Sequence, residues 1–119
     1  SDLAEGSREA PFASLARAVA ATRTARRLIG PQYRASILLR EGTHYVSETI
    51  LLGPEDNSLI LQNADGEKAW LSGAKSVRTS PARAWRQHAE RDNVWALDLR
   101  GTGIEEVTGL RINRKRAVR

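Results

Sequence analysis

Five cations fall within nine residues near the end of the chain: Arg111, Arg114, Lys115, Arg116 and Arg119. Arginine presents a planar fork of N–H donors that matches the oxygens of carboxylate, sulfate or phosphate. On an extended strand Arg114 and Arg116 share one face and Lys115 lies on the other. Such a pair fits a uronate or sulfate group of an acidic glycan, nucleic-acid phosphates, or acidic residues of the remainder of a larger protein. The nucleic-acid reading lacks support, because no aromatic residues interleave with these cations for base stacking and no recognition-helix motif is present. Trp85, flanked by Arg83, Arg86 and Gln87, is either a sugar-stacking platform or a lid over a strand. The candidate ligand-binding residues are therefore Arg111, Arg114, Arg116, Arg119 and Trp85.

Catalytic constellations are missing. His44 and His88 stand 44 residues apart, without metal-ligand spacing. Cysteine is absent, which removes a thiol nucleophile, a zinc ribbon and a disulfide framework. Ser72-Gly73 lacks a nucleophile-elbow pattern, and Gly101-Thr102-Gly103 is too short for a phosphate loop. Glu48 and Glu67 are the carboxylates with spacing that can bring two acids together, as glycoside hydrolysis requires. Glu55-Asp56 and Glu105-Glu106 read as turn residues that are solvated or bind a calcium ion rather than acting in catalysis. No catalytic residue, metal or cofactor is expected within the chain.

The surrounding chemistry is that of an ordinary folded chain. Its 119 residues suit one domain, with 40% apolar and 28% charged residues. The net charge of +5 favours acidic partners or a merely basic surface. Aromatic residues make up only 5%, so a core must come from Leu, Ile, Val and Ala. No apolar run approaches the ~18 residues of a membrane span. The absence of methionine, including at position 1, implies that the chain begins inside a larger product or after processing.

Positioning elements can be read along the chain. Residues 1–13 form a polar lead-in. Ser14 is a helix N-cap, and Leu15, Ala18, Val19, Thr22, Ala25, Leu28 and Ile29 recur at helical spacing as one apolar stripe over 14–29. Phe12 can staple the first turn, Arg26 and Arg27 suit the last turns, and Gly30-Pro31 ends the helix. Arg17, Arg23 and Arg27 read as a solvated opposite face. From 36 onward, short apolar runs bounded by turn residues read as strands: 37–39, 50–52, 59–61 and 70–71. Further strands are expected near 84–86, at 93–99, at 110–113 and at 117–118. Trp70 and Trp95 read as core.

Spacing suggests how the strands pair. Ile37 and Leu59 are 22 residues apart, and Ile50 and Trp70 are 20 apart. A β-solenoid climbs one coil in roughly 20–25 residues and stacks strands in parallel register. A small antiparallel barrel or sandwich uses comparable run lengths. Four stretches then resemble right-handed parallel β-helix proteins of the pectin-lyase-like kind. They are Pro11-Phe12-Ala13-Ser14-Leu15 with Ala18-Val19, Ile37 to Tyr45 with Ser47 to Ile50, Gly66 to Gly73, and Leu110 to Ala117. The chain departs from those motifs at Glu41 and Arg114, where the family pattern has glycine, and at His44, inserted between Thr43 and Tyr45.

The resemblance implies a mostly β fold: the first coils of a right-handed parallel β-helix, plugged at one end by the 14–29 capping α-helix. It implies that residues 1–119 are the N-terminal part of a larger, secreted carbohydrate-active protein, such as a glycoside hydrolase or polysaccharide lyase. This part would be non-catalytic, with the rest of the solenoid or a continuing chain as its partner. A non-enzymatic β-rich module that binds a polyanion, such as an acidic polysaccharide, or a partner protein is the alternative. Neither reading calls for nucleic acid or a membrane.

Overall fold

The computed structural model describes residues 5–113 and 115–117. The chain divides into two compact units, Ser1–Ser76 and Val77–Arg119.

The first unit opens with helix α1 (Leu15–Ile29). Ser14 is extended, and its Oγ accepts the Arg17 N–H at 3.2 Å, covering one of the donors that a helix start leaves free. Phe12 packs against the core beneath this turn, with the Arg17 guanidinium 5.0 Å from its ring centroid. Gly30 ends the helix at φ 122°, a conformation closed to most side chains, and its N–H returns to the Arg26 carbonyl at 2.8 Å. Replacing Ser14 by alanine is expected to cost about 1 kcal/mol; loss of helical circular dichroism at lower temperature than in the parent chain measures it.

Two parallel strand pairs follow. β1 (Ala35–Leu39) pairs with β3 (Leu59–Asn63), Ala35 lying opposite Leu59 and Ile37 opposite Leu61. β2 (Gly42–Tyr45) pairs with β4 (Ala69–Ser72), Gly42 opposite Ala69. Alternation along β1 sends Ala35, Ile37 and Leu39 inward, where Ile37 and Leu39 meet Ala18 and Val19 of α1. These five are the buried hydrophobic residues among those described. Phe12, Leu15, Ile50, Leu59 and Ala69 pack around them, half-buried.

The second unit is built from hairpins. β5 (Arg86–His88) pairs antiparallel with β6 (Arg91–Ala96), and β7 (Arg111–Ile112) pairs antiparallel with β8 (Lys115–Arg116).

These findings correct the expected fold. No β-helix forms among the described residues: the sheets have two strands each, and pairing turns antiparallel after Ser76. The reason is chain entropy. Ala89-Glu90 closes β5 onto β6 locally, whereas another parallel coil requires a crossover of about a dozen residues or more and a larger closure cost. The apolar run Ile50-Leu51-Leu52 forms no strand, because Gly53 leads directly into a 3₁₀ turn, Pro54–Asp56. β4 pairs instead with β2. The first pair is parallel, but its register is shifted two residues from Ile37 over Leu59, which leaves each side chain on its face. α1 lies on the inward face of β1 rather than plugging a solenoid end. Its stripe is used only as far as Ala25, for Leu28 and Ile29 are exposed. Trp70 and Trp95 are not core but 65% and 57% exposed.

Candidate polyanion-binding face

Charge is divided unevenly between the units. Residues 1–76 hold nine Lys and Arg against nine Asp and Glu, while residues 77–119 hold ten against five. The whole net charge of +5 thus belongs to the second unit.

That unit places part of the basic segment on a hairpin. Asn113 opens the turn between β7 and β8 at φ 49°, a left-handed conformation that asparagine tolerates well and that suits a two-residue hairpin loop. Arg111 then stands directly opposite Arg116, and Ile112 opposite Lys115. Cross-strand partners project from the same face. The cross-strand pair of cations among the described residues is therefore Arg111 and Arg116. Arg114 and Arg119 lie outside the described residues. Arg111, Lys115 and Arg116 are exposed, and none has a carboxylate partner among the described residues. β7 is shorter than the expected strand over 110–113, and β8 falls at Lys115–Arg116, within the basic segment, rather than at the expected 117–118; Val118 is outside the described residues.

Other cations of the unit are partly committed. The Arg100 guanidinium binds both oxygens of Asp98, with Nη2 2.6 Å from Oδ2. That hydrogen bond, with the Arg100 backbone N–H, holds the Asp98 carboxyl down at about 2. Arg83 donates to the Arg100 carbonyl at 3.1 Å. Arg86 and Arg91, on β5 and β6, are exposed. Trp85 is half-buried immediately before β5; Trp95, opposite Gln87 on β6, presents an open ring. His88 is exposed, its Nδ1 accepting the Glu90 N–H.

In the first unit Arg23, Arg26 and Arg40 are engaged within the fold. Arg23, expected on a solvated face, reaches the acidic turn Pro54–Asp56. Its Nε and Nη2 bind Asp56 Oδ1 and Oδ2 at 2.8 and 2.7 Å, and Nη2 also donates to the Leu51 carbonyl at 2.7 Å. Glu55 adds an ion pair at 3.2 Å. Arg26, three residues on, donates to the carbonyls of Glu55, Asn57 and Pro31. The open depression beside them is thus lined by arginines already engaged, apart from the exposed Arg27, which reaches the Thr24 hydroxyl at 3.3 Å. The signal was present in the sequence: Arg23, Arg26 and Arg27 at i, i+3 and i+4 share one helix face and need an acidic partner. At the β1–β2 corner, Arg40 Nε meets both Glu67 oxygens at 2.8 and 2.9 Å, and the Glu41 N–H donates to Oε2 at 2.6 Å. Glu67 is therefore a bracket rather than a partner of Glu48 in catalysis. His44 is likewise structural, with Nε2 donating to the Arg40 carbonyl at 2.8 Å. Among the described residues no group of three or more His, Asp or Glu converges on a common metal position.

Comparison with protein-family models, with curated proteins and with solved structures gave no match.

Proposed function

We propose that the chain is a non-enzymatic β-rich module that binds an acidic polysaccharide through its second unit. The observation that carries this reading is the in-register Arg111–Arg116 pair, exposed and without a carboxylate partner among the described residues, in a unit that holds all of the net positive charge. The first unit shows what this chain does with arginines that serve its own fold: Arg23 and Arg40 are each bound to a carboxylate. Arg111 and Arg116 are left available for oxygens from outside. The open ring of Trp95 and the half-buried Trp85 supply flat apolar surface suited to a sugar face. Nucleic acid is the weaker reading, because the described residues of the second unit contain no helix to enter a groove and no aromatic residue on the β7–β8 hairpin.

The chain is expected to stay on immobilised heparin or polygalacturonate at low salt. It should elute as salt shortens the Debye length toward about 8 Å at 0.15 M. Replacing both Arg111 and Arg116 by glutamine is expected to weaken binding by about tenfold or more, the scale of one charge-assisted contact. Elution of the unaltered chain in the void volume at low salt refutes the proposal.

A further inference from the structure

We infer that the outward face of the β2–β4 pair, in the first unit, is a second binding site, one that stacks the flat faces of a neutral oligosaccharide of equatorially substituted pyranoses. The inference goes beyond the polyanion reading and does not depend on Arg111 or Arg116.

Alternation and register fix which side chains share that face. Along β2, Gly42 and His44 are half-buried while Thr43 and Tyr45 are exposed. On β4, Ala69 packs against the core, so Trp70, the next residue, lies on the opposite side. The pairing is parallel, with Thr43 opposite Trp70 and Tyr45 opposite Ser72. Thr43, Tyr45, Trp70 and Ser72 therefore line the outward face together. Tyr45 is 54% and Trp70 65% exposed. The two aromatic residues are diagonal neighbours, one strand and two residues apart. Their backbones stand about 8 Å from one another, given a rise of about 3.3 Å per residue and a strand spacing of about 4.8 Å. Side chains stand up from a sheet, so two rings rise from one surface with a hydroxyl beside each. The Ser72 Oγ accepts the Ala74 N–H at 3.2 Å and keeps its own proton to donate.

The composition of the face selects the ligand. Neither β2 nor β4 contains Lys, Arg, Asp or Glu, so these strands offer no ion pair to a charged partner. An aromatic face is the negative side of a quadrupole. A pyranose with equatorial hydroxyls presents flat patches of C–H hydrogens above and below its ring, and its hydroxyls project from the rim. The C–H patches lie on Trp70 and Tyr45, and the rim meets the hydroxyls of Thr43, Tyr45 and Ser72. Two rings can engage two sugars of one chain. The second contact is intramolecular once the first is made, so a chain binds better than a single sugar. The outward face of β1 and β3 carries the aliphatic Leu38 and Ile60 and no aromatic ring, which makes it an internal control.

The test titrates the full chain with cellohexaose and with glucose by isothermal calorimetry, in about 0.15 M and about 1 M salt, where the Debye length is about 8 and about 3 Å. Cellohexaose is expected to bind saturably, equally at both salts, and at least about tenfold more tightly than glucose. Trp70→Ala and Tyr45→Ala should each weaken binding by about tenfold, the scale of one stacked ring. Trp70→Phe, which keeps a ring, should retain most of the affinity. Leu38→Ala and the double variant Arg111→Gln/Arg116→Gln should bind as the parent does. The proposal is overturned by absence of saturable binding to the parent chain, by equal affinity for glucose, or by unchanged affinity in both alanine variants. Loss of binding in the double arginine variant or in high salt overturns it as well, by assigning the sugar to the second unit. So does a dimer of the full chain that Trp70→Ala dissociates, because a second copy then covers the face. Retention on heparin is a separate readout, so either proposal can fail alone.

Discussion

Replacing Ile37 by alanine is expected to destabilise the first unit by about 3 kcal/mol, within the usual range for truncating a buried isoleucine. The size of the effect follows from how little else holds that unit. Its buried apolar residues are Ala18, Val19, Ala35, Ile37 and Leu39, and two of these are alanines with little surface to contribute. Ile37 occupies the middle of β1 and belongs with Ala18 and Val19 to the cluster beneath the helix. Its partner across the ladder, Leu61, is 41% exposed and cannot close over a cavity while remaining paired. Ile37→Val, which removes one methylene, should cost about 1 kcal/mol. Leu38, one residue along and 54% exposed, should tolerate alanine within about 0.5 kcal/mol. Thermal or urea unfolding followed by circular dichroism separates the three. Equal losses at Ile37 and Leu38 would mean that the alternation of β1 does not decide which side chains are buried.

That alternation shows which parts of the fold are legible in sequence. The helix and its two ends could be read because each signal is local: Ser14 before the periodic stripe, Gly30 after it, arginines in the last turn. The β1 and β3 runs could be read for the same reason, as apolar residues between turns. Pairing is another matter. A 20-residue spacing fits a parallel crossover, yet it says nothing about whether a nearer partner will be found first. β2 and β4 met across Gly42 and Ala69, and the 50–52 run stayed unpaired because the Gly53-Pro54 turn follows it immediately. Trp70 and Trp95 were misplaced for a related reason. An aromatic residue in an apolar run is buried only if a second layer covers its face, and among the described residues nothing covers either ring enough to bury it.

The binding face was legible as composition but not as geometry. A cluster of cations in nine residues is visible without a structure. Its hairpin is not, because the usual Asn-Gly turn signal is replaced by Asn113-Arg114. The turn sets Arg111 opposite Arg116, a cross-strand pair that spacing along one strand does not reveal. Arg23 was missed altogether. A helix face rich in arginine reads as solvated by default, and the acidic turn that receives it lies some thirty residues away in sequence.

That distant contact carries the second large effect. Arg23→Gln is expected to detach α1 from the Pro54–Asp56 turn and to lower the melting temperature by roughly 4–8 °C, the shift that follows a modest loss of stability in a domain of this size. Asp56 is the reason. Only 2% of its side chain is exposed, so without Arg23 a carboxylate is left among protein atoms with the Gly53 N–H, 2.9 Å away, as its remaining donor. The pH dependence identifies the contact. The Arg23 hydrogen bond, followed by that of Gly53, lowers the Asp56 carboxyl from 3.8 to about 2. A depressed carboxyl binds its proton less readily in the folded chain than in the unfolded one. The stability it contributes is therefore complete above about pH 4 and is lost as the pH falls toward 2. The parent chain should melt at progressively lower temperature across that interval. Arg23→Gln should start lower and lose less, so that the two curves converge near pH 2. Asp98 titrates in the same range beside Arg100, but it is present in both proteins and cancels in their difference. Parallel curves from about pH 5 to about pH 2 would show that the link between Arg23 and Asp56 does not fasten the helix to the turn.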